Sequence, residues 1–257
     1  MLELHHGEPN TFALKILIVL HEKGLDYASR YYDPLTGEGE GPPPGPEADF
    51  GLDVEGPVLV HDGRAVSEAF FAGLYLDEAF PERALRPSDA SGRWAVLNWA
   101  RLFGEVLAPS VCSLGAARHL VGALSGADRE GARARASALR FEDRRKAWDK
   151  SLTRGFAAEE VEDSRRKAGL VIDRLEGALA ADGWLVGGAF SLADIDAFAL
   201  LHPLQALEPA LFEGSAQVGA WLGRIRARPA VQAALAAGRT DHPEQWFRPG
   251  PEHSRWG

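Results

Sequence analysis

The sequence predicts an α/β domain followed by an all-α domain. In residues 1–81, short apolar runs of strand length alternate with helical patterns, which is typical of an α/β fold. Between residues 89 and 237, long alanine-rich stretches carry apolar residues at helical spacing. We therefore predict domains at 1–81 and 89–257, joined by a linker at 82–88, with a C-terminal tail at the end of the second domain.

A short polar turn lies between the first predicted strand and the first predicted helix. The run LELHH suits a strand, and a helix is expected over residues 10–23. Asn10 or Thr11 is the expected N-cap, and Gly24 is the expected terminator. The turn therefore places Asn10 and Thr11 at a helix N-terminus.

The remainder of the first domain is predicted to contain strands, a loop and a helix. DYASRYY suits a second strand, and the glycine- and proline-rich segment 36–48 suits a loop, either a lid or an insertion without a role. PVLVH predicts a strand that continues through the turn Asp62–Gly63 into a hairpin. The run SEAFFAGLYLDEAF then predicts a helix with Ser67 at its N-terminus.

The second domain is predicted from helical patterns and ends in an aromatic tail. RRKAGLVIDRLEGALA has apolar residues at helical spacing, and VGAWLGRIRARPAVQAAL predicts two helices separated by a proline. SLADIDAFALLHPLQAL begins with Ser191 and has Asp194 three residues later, which is a capping box. The tail RTDHPEQWFRPGPEHSRWG is polar and proline-bearing, and we expect Trp246 and Phe247 to pack on the surface, with closure of the cleft between the domains as the alternative.

Composition and charge exclude several classes of function. The formal net charge is −9, without a basic run that would suit nucleic acid. Cys112 is the only cysteine, which excludes an internal disulfide and a cysteine-rich metal site. His5, His6 and His202 lack partners at metal-ligand spacing, so we interpret all three as structural or surface residues. Without a signal-peptide pattern or a run of about 18 apolar residues, we expect a cytoplasmic protein with no membrane span.

Three segments carry a family resemblance. GPVLVHDGRAVSEAFFAGLYLDEAFP resembles the thioredoxin-like half of glutathione transferases. FSLADIDAFALL resembles the capping-box helix of their C-terminal half, and WLGRIRARPAVQAAL resembles their last helices. The resemblance spans most of the chain in the expected order. It implies an N-terminal thioredoxin-like domain, a C-terminal glutathione-transferase helical bundle, glutathione as co-substrate and a homodimer.

The resemblance also implies a glutathione site. In the family, a cis bond before the residue that matches Pro57 turns the backbone of Gly56 outward to hold the cysteinyl part of glutathione. Glu68 and Ala69 match the positions at a helix N-terminus that hold the γ-glutamyl end. Ala69 replaces the usual serine, so one hydroxyl contact is missing. The alternative is that Ser67 is only a cap and Glu68 only a first-turn acid.

A segment in the middle of the chain resembles one particular group of glutathione transferases. DRRKAWDKSLTRGFAAEEVEDSRRKAGLVIDRLEGAL resembles a segment of bacterial glutathione-dependent β-etherases, which cleave β-aryl ethers derived from lignin. The implied reaction is attack of glutathione thiolate on the carbon that bears the aryloxy group, with loss of a phenol. Two alternatives remain open: a transferase or glutathione-dependent peroxidase acting on other electrophiles, and a non-catalytic binding protein with the transferase fold.

The resemblance locates the thiolate-stabilising group at the first helix. Aligned on Lys15, the chain has Phe12 and Ala13 where β-etherases and their neighbours tend to have asparagine and serine. Asn10 and Thr11 are therefore the candidate catalytic residues, with plain helix capping as the alternative. If neither side chain acts, backbone N–H groups and the helix dipole remain.

The aromatic substrate is expected between the two domains. Phe12 would face it from the first helix. Trp99 and Arg101, on the first long helix of the α domain, are the other candidate substrate-binding residues. We expect Trp94, on the same helix, to belong to the core.

Overall fold

The computed structural model describes residues 1–33, 35–39, 41, 56–120 and 124–249. Most of the segment 36–48, for which the sequence predicts a loop, lies outside these ranges.

In the described ranges, five strands form one mixed sheet around β1 (Leu2–His6). β1 lies between β2 (Ala28–Asp33), which is parallel to it, and β4 (Val58–His61), which is antiparallel. β3 (Glu38–Gly39) extends the sheet beside β2, and β5 (Arg64–Val66) extends it beside β4. The strand order is therefore β3-β2-β1-β4-β5. Neighbours on both sides of β1 bury most of its residues.

The predicted hairpin is confirmed. β4 and β5 pair with His61 opposite Arg64, so that only Asp62 and Gly63 form the turn. Asp62 has φ 49° and Gly63 has φ 80°, the left-handed pair that a two-residue type I′ turn requires. The local Asp-Gly signal therefore specifies this connection.

Helix α1 (Thr11–Lys23) begins and ends where the sequence predicts. The Asn10 side-chain oxygen accepts a hydrogen bond from the Thr11 N–H at 2.9 Å, which caps the first turn. Gly24 ends the helix in a left-handed conformation, with φ 65°. α2 (Ala69–Ala79) and helices of the second domain pack against α1, which explains why α1 is buried on nearly all sides.

The second domain is helical through most of the described ranges, as predicted. Its helices are α3 (Ala90–Leu102), α4 (Ala108–Gly115), α5 (Gly126–Ser137), α6 (Glu142–Asp149), α7 (Ala158–Asp182), α8 (Leu192–Leu207), α9 (Ala216–Arg226) and α10 (Pro229–Leu235). π-helical turns at Phe103–Leu107 and Ala116–Leu120 join α3 to α4 and extend α4, and a third at Lys150–Arg154 follows α6. None of the helices in the described ranges combines the length and the apolar character that a membrane crossing requires.

Helix α8 lies at the centre of the helical part, and its predicted capping box is confirmed. The Asp194 carboxylate accepts hydrogen bonds from the Ser191 N–H at 2.9 Å and from the Trp221 indole at 2.9 Å. Burial raises the pKa of Asp194. Lys15 of α1 forms a buried ion pair with Asp196 of α8. These contacts fix α1 against the helical part of the molecule.

One apolar core runs through both predicted domains. It includes Leu4 of the sheet, Ile16 of α1, Phe198 of α8 and Trp221 of α9. The sheet and the helices therefore bury a shared surface, and the boundary at 82–88 stays a prediction.

Two predictions about aromatic side chains are wrong. Trp94 is 64% exposed, because it lies on the solvent-facing side of α3. Val96 marks the opposite, buried side of the same helix. Phe247 is only 3% exposed. Its ring occupies the space beside Gly115, where a Cβ atom would overlap it. The segment 239–249, which we call the C-terminal tail, therefore contributes to the core.

Candidate active site

The turn between β1 and α1 is the first part of the candidate site. Asn10 lies in this turn and is buried, and both groups of its side-chain amide are occupied. Its oxygen caps α1 through the Thr11 N–H, and its nitrogen donates to the Trp246 carbonyl oxygen at 2.6 Å. The geometry of Asn10 therefore matches the capping alternative and adds a contact with the C-terminal tail.

Thr11 differs from Asn10 in both backbone and hydrogen bonding. Its φ is 43°, an outlier for a β-branched residue, which marks local strain. The side chain lines a cavity, and its hydroxyl forms no hydrogen bond with the residues in the described ranges. The hydroxyl is therefore available to a ligand.

Gly56 and Pro57 line the same cavity as Thr11. The expected cis bond before Pro57 is wrong, because no peptide bond within the described ranges is cis. The trans form is the more stable isomer of an X–Pro bond by about 0.5–1 kcal/mol, and the structure adopts it. The two residues nevertheless face the N-terminus of α1 across the cavity.

Glu68 and Ala69 lie at the N-terminus of α2, outside the lining of this cavity. Glu68 is exposed and has φ 65°, so that it joins Thr11 and Asp62 as a non-glycine residue in the left-handed region. Ala69 is buried as the first residue of the helix. The Ser67 hydroxyl is buried without a hydrogen-bond partner among the described residues, so the expected cap by Ser67 is not formed.

The cavity has a volume of about 30 Å³, enough for a water molecule or two. It is lined by β1 and the following turn, by β2, by the Gly56–Pro57 segment and by the C-terminal tail. The lining residues are His5, His6, Gly7, Asn10, Thr11, Phe12, Ala13, Tyr32, Gly56, Pro57, Trp246 and Arg248. Asn10, Thr11, Phe12, Gly56 and Pro57 are thus brought together, as the sequence predicts.

A buried carboxylate holds the C-terminal tail against the turn. Glu8 is fully buried and accepts hydrogen bonds from the Tyr31 hydroxyl at 2.9 Å and from the Arg239 N–H at 3.1 Å. Burial and the bond to Glu8 raise the pKa of Tyr31. The Arg239 guanidinium lies 4.0 Å from the centre of the Tyr31 ring. Glu8 was not singled out from the sequence, because Arg239, the partner that attaches it to the tail, lies 231 residues away.

Two aromatic side chains of the C-terminal tail also hold it against the rest of the protein. The Trp246 ring packs beside Gly7, where a Cβ atom would approach it within 3.0 Å. The Phe247 ring stacks on His119, with ring centres 6.2 Å apart. Trp246 lines the small cavity, which fits the alternative that the tail closes the cleft, whereas Arg248 was missed as a site residue. The aromatic composition of the tail was the one signal in the sequence.

The two histidines of β1 are buried and line the cavity, so of the two alternatives for them, structural or surface, the surface one is wrong. His6 contacts the Gly7 carbonyl oxygen at 2.7 Å and the Ser29 hydroxyl at 2.8 Å. Burial lowers the pKa of His6, which favours the neutral ring. The Nδ1 atom of His5 is buried without a hydrogen-bond partner among the described residues.

The candidate substrate residues occupy different places. Phe12 lines the cavity, and its ring centre is 5.6 Å from the Arg248 guanidinium. Trp99 stacks on Phe103 with ring centres 5.5 Å apart, away from the cavity. Arg101 is exposed and pairs with Glu105 at 2.9 Å. The structure therefore does not bring Trp99 and Arg101 together with Phe12.

A second, larger cavity of about 370 Å³ lies in the helical domain. Cys112 of α4, Phe156 before α7 and Pro249 of the tail are among its lining residues. Burial raises the pKa of the Cys112 thiol to about 11, so the thiol stays protonated at neutral pH. Pro249 follows Arg248 directly, so the tail contributes to both cavities. Within the described ranges, no three His, Cys, Asp or Glu side chains cluster as a metal site requires.

Comparison with known proteins adds independent findings. The model of the glutathione S-transferase N-terminal domain matches residues 11–79, and that of the C-terminal domain matches residues 145–229. Protein LigF of Sphingobium sp. (strain NBRC 103272 / SYK-6) is 30% identical over 245 residues, covering 90% of this chain and 91% of LigF.

Solved structures show the same likeness. The crystal structure of β-etherase LigF from Sphingobium sp. strain SYK-6 matches with a TM-score of 0.78 and 27% identity, covering 92% of this chain and 99% of that one. Glutathione transferase F7 from Populus trichocarpa matches with a TM-score of 0.69 and 22% identity, covering 93% of this chain and 100% of that one. The second match is a likeness of fold alone.

Proposed function

The chain belongs to the glutathione S-transferase family, and from this premise we propose that it cleaves β-aryl ethers of lignin-derived aromatic compounds with glutathione. Glutathione is the co-substrate of the family. The observation that carries the finer proposal is the 30% identity to LigF over 90% of the chain, since the solved LigF is described as a β-etherase.

The proposed reaction is a nucleophilic displacement. Glutathione loses its thiol proton to solvent, and the thiolate attacks the carbon that bears the aryloxy group, next to a ketone. A carbon–sulfur bond forms while the carbon–oxygen bond breaks, and the electron pair leaves with the phenoxide. The phenoxide then takes a proton from solvent. Binding both reactants in alignment lowers the barrier by several kcal/mol.

The small cavity suits the sulfur end of glutathione. Its volume of about 30 Å³ accepts a thiol group, whereas small-molecule sites usually span about 300–1,000 Å³. We therefore propose that the thiol enters between Thr11 and Gly56, with the Thr11 hydroxyl donating to the thiolate. The Gly56–Pro57 backbone would hold the cysteinyl part, and Asn10 would position the turn through its cap.

The rest of glutathione would lie outside this cavity. We propose that its γ-glutamyl carboxylate binds the first N–H groups of α2, at Glu68 and Ala69, because a helix N-terminus favours an anion. The carboxylate of Glu68 would contact the amine of the same γ-glutamyl group. The strained backbone of Glu68 supports this assignment.

The aromatic part of the substrate would bind between Phe12 and the second cavity. That cavity has a volume of about 370 Å³, which falls in the range of small-molecule sites. Phe156 and the neutral Cys112 thiol give part of its wall an apolar character. The carbon under attack would lie beside Phe12 at the small cavity, within reach of the sulfur, and the aromatic ring would extend from there toward the second cavity.

Phenol release tests the proposed function. We expect the protein to release phenol from a ketone-type β-aryl ether in the presence of glutathione. The matched control is the same ether with its ketone reduced to an alcohol, which should not react because the carbon loses its activation. Normal glutathione binding without phenol release would instead favour a transferase or peroxidase acting on other electrophiles. Absence of glutathione binding would favour a non-catalytic binding protein.

We also propose that the protein is a cytoplasmic homodimer. The cytosol keeps glutathione available in its reduced form, which the reaction requires. Large apolar side chains on two helices remain exposed to solvent in the single chain. The exposed fraction is 59% for Phe71 of α2, 64% for Trp94 of α3 and 46% for Leu97 of α3. A partner surface would bury them. Trp94→Glu should therefore shift the mass measured by light scattering from dimer to monomer, and an unchanged dimer would contradict the role of this surface.

A further inference from the structure

We propose that Arg248 of the C-terminal tail is a catalytic residue, whose guanidinium stands beside the glutathione sulfur and stabilises the thiolate. The inference rests on the proposed function, because it requires the thiol of glutathione in the small cavity. Arg248 lies outside the segments that match the family models, which end at residue 229.

The position of Arg248 is the first support. Its guanidinium is 5.6 Å from the centre of the Phe12 ring, at the N-terminus of α1. One terminal nitrogen is 3.6 Å from the point where a Cβ atom on Gly56 would stand. The guanidinium therefore lies between the two backbone segments that would hold the sulfur and the cysteinyl part of glutathione.

The residues around Arg248 are held in place. The Trp246 carbonyl oxygen accepts a hydrogen bond from Asn10 at 2.6 Å. The Phe247 ring is buried against His119, and the Pro249 carbonyl oxygen accepts a hydrogen bond from Arg144 at 2.9 Å. Because both neighbours of Arg248 are fixed, its side chain is directed into the cavity by an ordered segment.

On the sheet side of the small cavity, three titratable groups are either uncharged or engaged in contacts with other residues. Lys15 forms its buried ion pair with Asp196. Glu8 accepts hydrogen bonds from Tyr31 and from the tail backbone. Burial lowers the pKa of His6, so this ring carries no charge at neutral pH.

On the helical side of the small cavity, the nearby titratable groups are also uncharged or engaged in contacts with other residues. Burial lowers the pKa of His119 and raises that of Cys112, so both are neutral at pH 7. Arg144 is engaged with the Pro249 carbonyl oxygen. Three basic residues line the cavity among the described residues: His5, His6 and Arg248. Arg248 is the one arginine or lysine of the three.

A guanidinium in this place would favour the ionised thiol. Arginine remains protonated at every relevant pH, and an opposite charge within about 4–6 Å lowers the pKa of an acid by about 1–3 units. The thiol proton leaves to solvent, and the sulfur keeps the electron pair that later forms the carbon–sulfur bond. The guanidinium itself exchanges no proton.

The test measures the thiol pKa of bound glutathione through the ultraviolet absorbance of the thiolate. Arg248→Met should raise this pKa by about one unit or more, and turnover below the pKa should fall about tenfold. Arg248→Lys keeps a positive charge and should retain part of the effect. Thermal unfolding of both variants checks that the fold is unchanged.

Arg239→Met is the matched control. Arg239 lies in the same tail, but its guanidinium rests on the Tyr31 ring and does not line the cavity. The thiol pKa should stay at the wild-type value in this variant. An unchanged thiol pKa in Arg248→Met, or an equal rise in Arg239→Met, would overturn the inference.

The readout separates this inference from the proposed function. A thiol pKa that depends on Arg248, without phenol release from the ether, would refute the ether reaction and support the role of Arg248. Phenol release with a thiol pKa that is independent of Arg248 would support the ether reaction and refute the role of Arg248. If the wild-type protein binds no glutathione, both are refuted.

Discussion

Thr11 and Glu68 have left-handed backbones although neither is glycine, with φ of 43° and 65°. Strain of this kind costs about 1–3 kcal/mol and is retained where the surrounding structure imposes it, often at functional sites. Each residue lies at the N-terminus of a helix, and both are candidate glutathione residues from the sequence. The strain therefore supports their assignment to the site.

Thr11→Val tests the hydroxyl that is available in the cavity. A hydrogen bond to a charged group contributes about 1.5–3 kcal/mol, so turnover should fall about 10- to 100-fold. Thr11→Ser is the matched control, because it keeps the hydroxyl and should stay near wild-type turnover. Steady-state kinetics of phenol release measure both. Full activity in Thr11→Val would leave the backbone N–H groups as the thiolate donors.

Glu68→Ala tests the γ-glutamyl contact. We expect glutathione binding, measured by calorimetry, to weaken about tenfold, because a charged hydrogen-bond partner of the ligand amine is lost. Glu82→Ala removes a carboxylate from an exposed position just after α2 and should leave the affinity unchanged. Equal affinities in the two variants would refute the assignment of Glu68.

At the scale of elements, α8 shows how burial governs a titratable group. His202 lies in α8 and stacks on Phe198, with ring centres 5.4 Å apart. Burial, with a smaller effect of Arg226, lowers the pKa of His202 from 6.5 to about 4. The folded state therefore prefers the neutral ring, whereas the unfolded chain binds a proton below pH 6.5.

This difference predicts a pH-dependent stability. The contribution of neutral His202 is fully present above pH 6.5 and is lost as the pH falls toward 4, by about 3 kcal/mol in total. His202→Gln should flatten the pH dependence of the free energy of unfolding in this window, as measured by urea denaturation. His242→Gln, at an exposed position, is the control and should keep the wild-type slope. A wild-type slope in His202→Gln would contradict the prediction.

Local elements were predicted well because their signals are local. Asn10 and Gly24 bound α1, Asp62–Gly63 form the hairpin turn, and Ser191 begins α8, all as expected. Each signal acts through hydrogen bonds or backbone angles within a few residues. Trp94 was misassigned because helical spacing places a residue on a face without telling which face has a neighbour.

At the scale of the whole molecule, the C-terminal tail joins the two ends of the chain. Glu8 binds the Arg239 backbone, and Asn10 binds the Trp246 carbonyl oxygen, across more than 230 residues. Phe247 extends the core that the sheet and the helices share. The tail is therefore both a structural part of the fold and one wall of the candidate active site.

Phe247→Ala tests this attachment. Removing a buried phenylalanine should lower the free energy of unfolding by about 3–5 kcal/mol, because a cavity remains beside Gly115. Phe141→Ala, at a residue that is 44% exposed, should cost much less. Urea denaturation measures both, and limited proteolysis should cut the tail faster in Phe247→Ala. Similar losses in the two variants would contradict the role of the tail in the core.

The sequence by itself determined the family and the order of the elements, and it predicted a set of candidate site residues that the structure brings together. Asn10, Thr11, Phe12, Gly56 and Pro57 meet in one cavity as the motifs predicted, because local turns and strand pairing bring them there.

Only the tertiary structure decided which side chains complete that cavity. Trp246 and Arg248 approach the first helix through packing of Phe247 and hydrogen bonds to Glu8 and Asn10. Contacts between residues so distant in the chain leave no periodic or motif signal, since they depend on the shape of the whole core. The same reason explains why the structure, and not the sequence, revealed a cationic side chain beside the proposed sulfur position.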